Sequence, residues 1–596
     1  MSFENRNYAF AGAFVDELTR SGLRHVCICP GSRSSPLAIS FARNTHIRKW
    51  IHLDERSAAF FALGIAKYLN EPVALVCSSG TAAVNFLPAI VEACQSSTPL
   101  LVLTADRPPE LVGWGALQTI DQTQLYGSHV KWSVNVPPPE ATPSLISFVR
   151  SLAGRAFAVA NDTPQGTVHL NFPFREPLEP AAVPSDLPDS QSQKSEDYQG
   201  RPEERPFLKS ISTERAPASE KIQQLASELT SQERGLIICG PDSNKNPAAD
   251  VVTMAQRLCY PILADCQSQT RCGPHDRSLV IDCYDSFIDD RELKTSLVPQ
   301  VVLRFGALPV SKPLTGYLQQ HPTARHILID DSGWRDPFHL TGEIWHIGTS
   351  TFCKQITPFL KSKTTDGEWS ERWRSLAEKA GNAIRHELSE TNDMFEGKVF
   401  TELKQFLPAG SILFAGNSMP VRDMDTFFPS SELPVRFMAN RGASGIDGVT
   451  STALGVSAVS QDRLVLVIGD ISFYHDMNGL VAARNFGLNA TIIVVNNNGG
   501  GIFSFMPQVD YEDVFEPYFA TPHGLTFKAA AELYELDYCL ADNWEKFREA
   551  VEISLVGNKT TVIEVPGDRK LNVMLHQQIR NAVVSQIHQN DGARDD

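Results

Sequence analysis

The sequence predicts an α/β protein made of three parallel-sheet domains. Three observations carry this prediction. Short β-branched apolar runs alternate with amphipathic stretches along the whole of the 596-residue chain, the pattern of parallel strands covered by helices. The length suits roughly three or four domains of ordinary size. The alternation is interrupted at 176–206, EPLEPAAVPSDLPDSQSQKSEDYQGRPEERP, a stretch rich in Pro, Ser, Gln and acids with little to bury, which reads as an exposed linker set at 181–206. A weaker break falls near 362–370, SKTTDGEWS. The expected domains are 1–180, 207–365 and 375–596.

Taken in order, the first domain offers HVCICP, KWIHLD, PVALVCS and PLLVLTA as strands, with AAFFALGIAKYLN and AAVNFLPAIVEAC as helices between them. The second offers GLIICG, PILADC, SLVID, QVVLRFG and HILIDD, and the third SILFAG, RLVLVIGD, ATIIVVNN and TTVIEVP. Ligands of such sheets bind beyond the carboxyl ends of the strands. The unusual residues of this sequence fall at those positions.

Composition narrows the function. The 53 basic and 69 acidic residues give a net charge of −16, which argues against a nucleic-acid partner or an anionic membrane surface. No apolar run reaches the length of a membrane span, and the opening MSFENRNYAF lacks a basic region followed by an apolar core, so neither membrane insertion nor a secretory signal is expected. None of the eleven cysteines forms a Cys-x-x-Cys pair. Reduced, buried thiols in a cytoplasmic protein are expected, not disulfides or zinc.

The run VVNNNGGGIF at 494–503 sets three asparagines and three glycines at a strand end. By itself this reads equally well as an Asn/Gly turn. Upstream, LVLVIGD ends in Asp470, and a helical stretch separates it from the strand ending in Asn497. One right-handed crossover would therefore bring a carboxylate and an amide oxygen together above neighbouring strands. Hard oxygen donors of this kind suit Mg²⁺ shared with phosphates. Gly499 can add a backbone carbonyl, and nearby backbone N–H groups can hold the phosphates.

Here the chain resembles the thiamine-diphosphate enzymes, whose metal motif is Gly-Asp-Gly followed about 25 residues later by Asn-Asn. This chain has Gly469, Asp470 and Ile471, then Asn496, Asn497 and Asn498; Ile471 departs from the usual glycine. The resemblance implies thiamine diphosphate, with Mg²⁺ (or Mn²⁺) held by Asp470, Asn497 and the Gly499 carbonyl. It further implies an activating carboxyl against the cofactor's pyrimidine ring. Glu55, in WIHLDERSAAFFALG, starts an apolar helix just after a strand. A helix-start acid is common for dipole reasons alone, but apolar surroundings also suit a carboxyl that shares a proton with a ring nitrogen. Gly80 and Thr81, in VCSSGTAAVN, look like the pyrimidine-side loop. The resemblance implies a homo-oligomer, at least a dimer, with active sites shared between subunits.

Arginines at strand-end loops suggest substrates with several carboxylates. Ser32 and Arg33 lie in CPGSRSSPLA at a helix start, Arg107 in TADRPPEL with Gln118 soon after, Asn417, Ser418 and Arg422 in AGNSMPVRDMD, and Arg441 with Ile446 in ANRGASGIDG. These motifs together are similar to the family of 2-succinyl-5-enolpyruvyl-6-hydroxy-3-cyclohexene-1-carboxylate synthases, transferases of menaquinone biosynthesis. That family decarboxylates 2-oxoglutarate and adds the resulting carbanion to isochorismate. The resemblance implies that Arg33, Arg107 and Lys312 face isochorismate, with Gln118 orienting it, and that Ser418, Arg422 and Arg441 hold the oxoglutarate carboxylate. Ile446 would support the bent cofactor, and Ile502 and Phe503 would line the pocket. No histidine falls in these motifs except His52, so none is expected as acid or base. Another thiamine-dependent 2-oxo-acid carboligase or decarboxylase is the alternative. A flavin- or nucleotide-binding oxidoreductase lacks its G-x-G-x-x-G, and a silent regulator would not need Glu55, Asp470 and Asn497 together.

Overall fold

The computed structural model describes residues 3–211, 213, 215–241, 247–363 and 367–589. The weak break near 362–370 lies partly outside them. Two compact units form. The first comprises Met1–Thr213, Asn440–Gln461 and His475–Phe486; the second comprises Glu214–Ala439, Asp462–Tyr474 and Gly487–Asp596.

In the first unit, β1 (His25–Ile28), β2 (Arg48–Ile51), β3 (Val73–Cys77), β4 (Leu100–Asp106), β5 (Trp132–Asn135) and β6 (Val168–Pro173) form one sheet in the order β2-β1-β3-β4-β6-β5. Every pairing in it is parallel. The chain winds outward from β1 to β2 and then returns to β3 beside β1, so a topological switch point lies between β1 and β3. The central strands β3 and β4 are buried along their whole length, as sheets covered on both faces require.

The second unit holds two sheets. One is β12 (Glu343–Trp345), β11 (Arg325–Ile329), β10 (Val301–Phe305), β7 (Gly235–Cys239), β8 (Ile262–Ala264) and β9 (Val280–Ile281), in that order across the sheet. The other is β14 (Arg436–Met438), β13 (Ile412–Ala415), β15 (Leu464–Gly469), β16 (Ala490–Asn496), β18 (Thr561–Pro566) and β17 (Asp537–Leu540). This last sheet repeats the winding of the first, with its switch point between β13 and β15. Inside the second unit, Arg271 bonds Asp425 at 2.7 Å with both side chains buried, and Asp425 also accepts the Cys266 N–H at 3.0 Å.

The structure departs from the expectations in several places. The compact units divide the chain differently from the sequence segments, with 440–461 and 475–486 in the first unit. The reason is close helix packing: a Cβ on Gly64 would meet the Thr452 carbonyl at 2.0 Å, and one on Gly455 the Phe61 carbonyl at 2.1 Å. Helix Glu55–Leu69 and helix Val449–Ser457 thus touch backbone to backbone. The 176–206 stretch is tied down in places: Tyr8 donates to the Leu178 carbonyl, Asn5 to that of Ala181 and Arg150 to that of Tyr198, and the Tyr198 ring is buried. The expected helix AAVNFLPAIVEAC divides into Thr81–Asn85 and Leu87–Gln95, with Pro88 just after the junction. The reading did not include β5, β6, β12, β14 and β17. All eleven cysteines are free thiols. Among the described residues no helix is long and apolar enough to cross a membrane.

Candidate active site

In the first unit the loops after β1, β3 and β4 meet at the switch point. Arg33, in the loop after β1, is mostly buried; it donates to the Phe174 carbonyl at 2.9 Å and pairs with the exposed Glu176 carboxylate at 3.1 Å. Its Nε is buried with no partner. Burial lowers the Arg33 pKa, and the Arg107 charge nearby lowers it further, so two cations share this corner. Arg107 follows β4 and donates to Ser79 Oγ at 2.8 Å and to Gln118 Oε1 at 3.5 Å. Ser79 in turn donates to the Gln118 carbonyl at 2.9 Å. The left-handed Gly80 (φ +84) lies under the Gln118 backbone, where a Cβ would stand 3.4 Å from that carbonyl. Its N–H donates to Gln122 Oε1 at 2.9 Å, and Gln122 donates onward to Asn171. Ser32, on the loop after β1, and Thr81, the first residue of its helix, are exposed.

Glu55 is the first residue of its helix, capped by Asp54 accepting the Ser57 N–H at 3.2 Å. It is half-buried, and its charge is among those that raise the buried thiols of Cys29 and Cys77. His52, three residues earlier and just beyond β2, is buried against Phe61 and Phe486, and burial lowers it to about 4. It is a neutral core histidine. Arg441 and Ile446 lie in the 440–448 loop, which belongs to this first unit, not to the unit of Asp470.

In the second unit β15 and β16 pair in register, Gly469 opposite Val495, so that Asp470 and Asn497 stand at adjacent strand ends. Asp470 is 2% exposed. One of its oxygens accepts the Gly499 N–H at 2.9 Å and the other that of Ile471 at 2.7 Å. Burial raises its pKa, and these donors together with His523 oppose the rise. Gly499 (φ +139) cannot be replaced cheaply, because a Cβ would meet the Ala520 carbonyl at 2.0 Å. Its carbonyl accepts the Gly501 N–H at 3.0 Å, which leaves one lone pair.

Asn497 is 8% exposed; its amide nitrogen donates to Glu396 Oε1 at 2.9 Å, while its Oδ1 is buried without a partner. An orphaned buried acceptor costs about 1–3 kcal/mol. Together with the Asp470 carboxylate and the Gly499 carbonyl it makes a hard-oxygen donor set, which fits a divalent cation of the Mg²⁺ kind. Burial pushes the Glu396 carboxyl up to about 8, the Asp423 charge adds to the rise and the Asn497 amide opposes it.

Asn417 and Ser418 follow β13, Asn417 buried and Ser418 strained at φ +71. Arg422 folds back to donate to the Ser418 carbonyl, and burial lowers its pKa. Ile502 and Phe503 are half-buried on the turn Gly501–Phe505, with Phe503 against Phe519 at 5.8 Å. Lys312 is exposed at the start of helix Lys312–Gln320.

Sequence reasoning missed two groups at this centre. Glu396 opens helix Glu396–Phe406 and looks like any helix-start acid. His523 lies outside the motifs in sequence, and folding brings it to Asp470. Its Nδ1 accepts the Leu525 N–H at 2.9 Å, so Nε2 carries the proton that faces Asp470 at 3.1 Å. Its loop carries no sequence signal.

Comparison with known proteins agrees with this geometry. Residues 9–125 match the N-terminal TPP binding domain of thiamine pyrophosphate enzymes, 201–415 their middle domain and 419–565 their C-terminal TPP binding domain. The fold and site therefore define a thiamine-pyrophosphate-dependent enzyme. The solved structure of benzoylformate decarboxylase from Polynucleobacter necessarius shares the fold, with a TM-score of 0.70 at 18% identity over 94% of this chain and 98% of that one. The 2-succinyl-5-enolpyruvyl-6-hydroxy-3-cyclohexene-1-carboxylate synthase of Geobacillus thermodenitrificans is 47% identical, covering 97% of this chain and 96% of its own. That of Chloroflexus aurantiacus is 44% identical over 96% and 95%. The chain belongs to this family of synthases.

Proposed function

We propose that the chain decarboxylates 2-oxoglutarate and joins the succinyl fragment to isochorismate, forming 2-succinyl-5-enolpyruvyl-6-hydroxy-3-cyclohexene-1-carboxylate in menaquinone biosynthesis. The observation that most supports this reading is its near-full-length likeness to synthases of that name. Asp470, Asn497 Oδ1 and the Gly499 carbonyl would hold Mg²⁺ or Mn²⁺ against the cofactor diphosphate, with Gly469, Ile471 and Asn417 around it. Thiamine diphosphate, once bound, supplies the electron sink for decarboxylation. Glu55 would share a proton with the pyrimidine ring nitrogen, and Gly80 and Thr81 would form the loop on that side. Ile446 and Ile502 support the cofactor from their loops.

Arg33 and Arg107, with Ser32, Gln118 and Lys312, would take isochorismate. A substrate carboxylate would displace the exposed Glu176 carboxylate from Arg33. Ser418, Arg422 and Arg441 would hold the oxoglutarate carboxylate, with Phe503 along the pocket wall. Arg422 must then leave the Ser418 carbonyl or share itself with it. The chain's task is to bind both dianions, orient them and exclude water. Trp114 and Leu117, exposed beside Gln118, support a second copy of the chain against this face. The free, mostly buried thiols support a cytoplasmic setting.

The test supplies thiamine diphosphate, Mg²⁺, 2-oxoglutarate and isochorismate and follows CO₂ release and isochorismate loss. Matched CO₂ release and isochorismate consumption are expected. CO₂ release with isochorismate untouched would point instead to a decarboxylase or another carboligase.

A further inference from the structure

The 440–448 loop is anchored on either side of Arg441. Glu92, on helix Leu87–Gln95, is 3% exposed. Its two carboxylate oxygens accept the backbone N–H groups of Gly442 at 2.9 Å and Ala443 at 2.7 Å. Lys67, on helix Glu55–Leu69, pairs with Glu92 at 3.0 Å and donates to Asn440 Oδ1 at 3.0 Å. The Asn440 amide nitrogen donates onward to Thr452 Oγ1 at 2.9 Å. Gly442 lets the loop close onto the helix, since a Cβ there would meet the Glu92 carbonyl at 2.5 Å. The residues before and after Arg441 are therefore held by one buried ion pair.

A buried Glu–Lys pair is a weak source of net stability, because desolvation offsets the attraction. What this pair does is fix a backbone conformation: an acceptor-only carboxylate spans two successive N–H groups, and the ammonium ties the residue before the arginine to the same point. We propose that Glu92 and Lys67 are positioning residues that set the direction in which Arg441 leaves its loop, and so set the affinity for the dicarboxylate that Arg441 binds. This rests on the reading of Arg441 as an oxoglutarate ligand.

The experiment is a double-mutant cycle on the full-length enzyme loaded with thiamine diphosphate and Mg²⁺. Glu92→Ala should raise the KM for 2-oxoglutarate about tenfold, the low end of losing a charge-assisted contact, with the KM for isochorismate unchanged. Glu92→Gln keeps one acceptor for one N–H group and should fall between. In an Arg441→Ala background Glu92→Ala should add nothing, since there is no guanidinium left to aim. An equal further rise in both backgrounds means general loosening and overturns the clamp. Should Glu92→Ala fold poorly, Glu92→Gln and Lys67→Gln run through the same cycle with the same two outcomes. An unchanged oxoglutarate KM in Arg441→Ala alone identifies the ligand reading, not the clamp, as the failure.

Discussion

Asn497 turns its amide nitrogen to Glu396 and its oxygen, unpartnered, into the site. Glu396 thereby selects which end of an otherwise flippable amide would face a bound cation, the role that outer partners of metal ligands commonly have. Asp470→Ala should weaken Mg²⁺-dependent binding of thiamine diphosphate most, with Asn497→Ala following in the same direction. Glu396→Ala should raise the cofactor dissociation constant about 10- to 100-fold, and Glu396→Gln, which keeps an acceptor, by less. Titration calorimetry at fixed Mg²⁺ reads all four, and unchanged affinity in Asp470→Ala would sink the metal assignment. A second prediction concerns Glu55. Glu55→Gln keeps the shape but cannot share the proton, so turnover should fall on the order of 10²–10⁴, with slow C2 deuterium exchange on bound cofactor. Exchange at the wild-type rate would contradict the role.

Among structural elements, strand-end loops carry the residues proposed to contact the substrates. Arg33 and Arg107 come from the loops after β1 and β4, where Gln118 and Ser79 join them. Arg422 comes from the helix after β13 and Arg441 from the loop after β14. Replacing Arg422 or Arg441 by Ala should slow adduct formation when enzyme and cofactor meet 2-oxoglutarate without isochorismate. Arg33→Ala and Arg107→Ala should form that adduct normally and fail only when isochorismate is added. Each lost charge-assisted contact should cost about 1.5–3 kcal/mol, or roughly 10- to 150-fold. Stopped-flow spectroscopy of the half-reaction separates the pairs, and equal loss in all four variants would refute the division. The division does not follow the compact units, since Arg441 shares one with Arg33. The division now rests on resemblance and on the loop geometry.

For the molecule as a whole, the first unit carries an acid sensitivity. Burial lowers His52 to about 4 and His169 to about 3. An unfolded histidine titrates near 6.5, so between these values the unfolded chain binds more protons than the folded one. Their contribution to stability is complete above about pH 6.5 and falls by roughly 1.4 kcal/mol per pH unit per histidine below it. The urea midpoint should therefore fall more steeply between pH 7 and pH 5 in the wild type than in His52→Phe. An identical drop in that variant would exclude His52 as a source. The sequence by itself determined the three α/β sheets, Asp470 and Asn497 at neighbouring strand ends, and Glu55 at the start of its helix, because apolar periodicity and strand-end chemistry are local properties. The strands it did not reveal are of two kinds. β5, β12, β14 and β17 are edge strands whose mixed residues blur the apolar signal. Inner β6 hides polar His169 and Asn171 in a buried network with Thr104 and Gln122. Only the tertiary structure decided that Glu396 orients Asn497, that His523 faces Asp470, and that Glu92 and Lys67 bracket Arg441. Each of these contacts joins residues far apart in the chain, and a buried carboxylate acquires its meaning from the donors that folding brings to it, not from its neighbours in sequence.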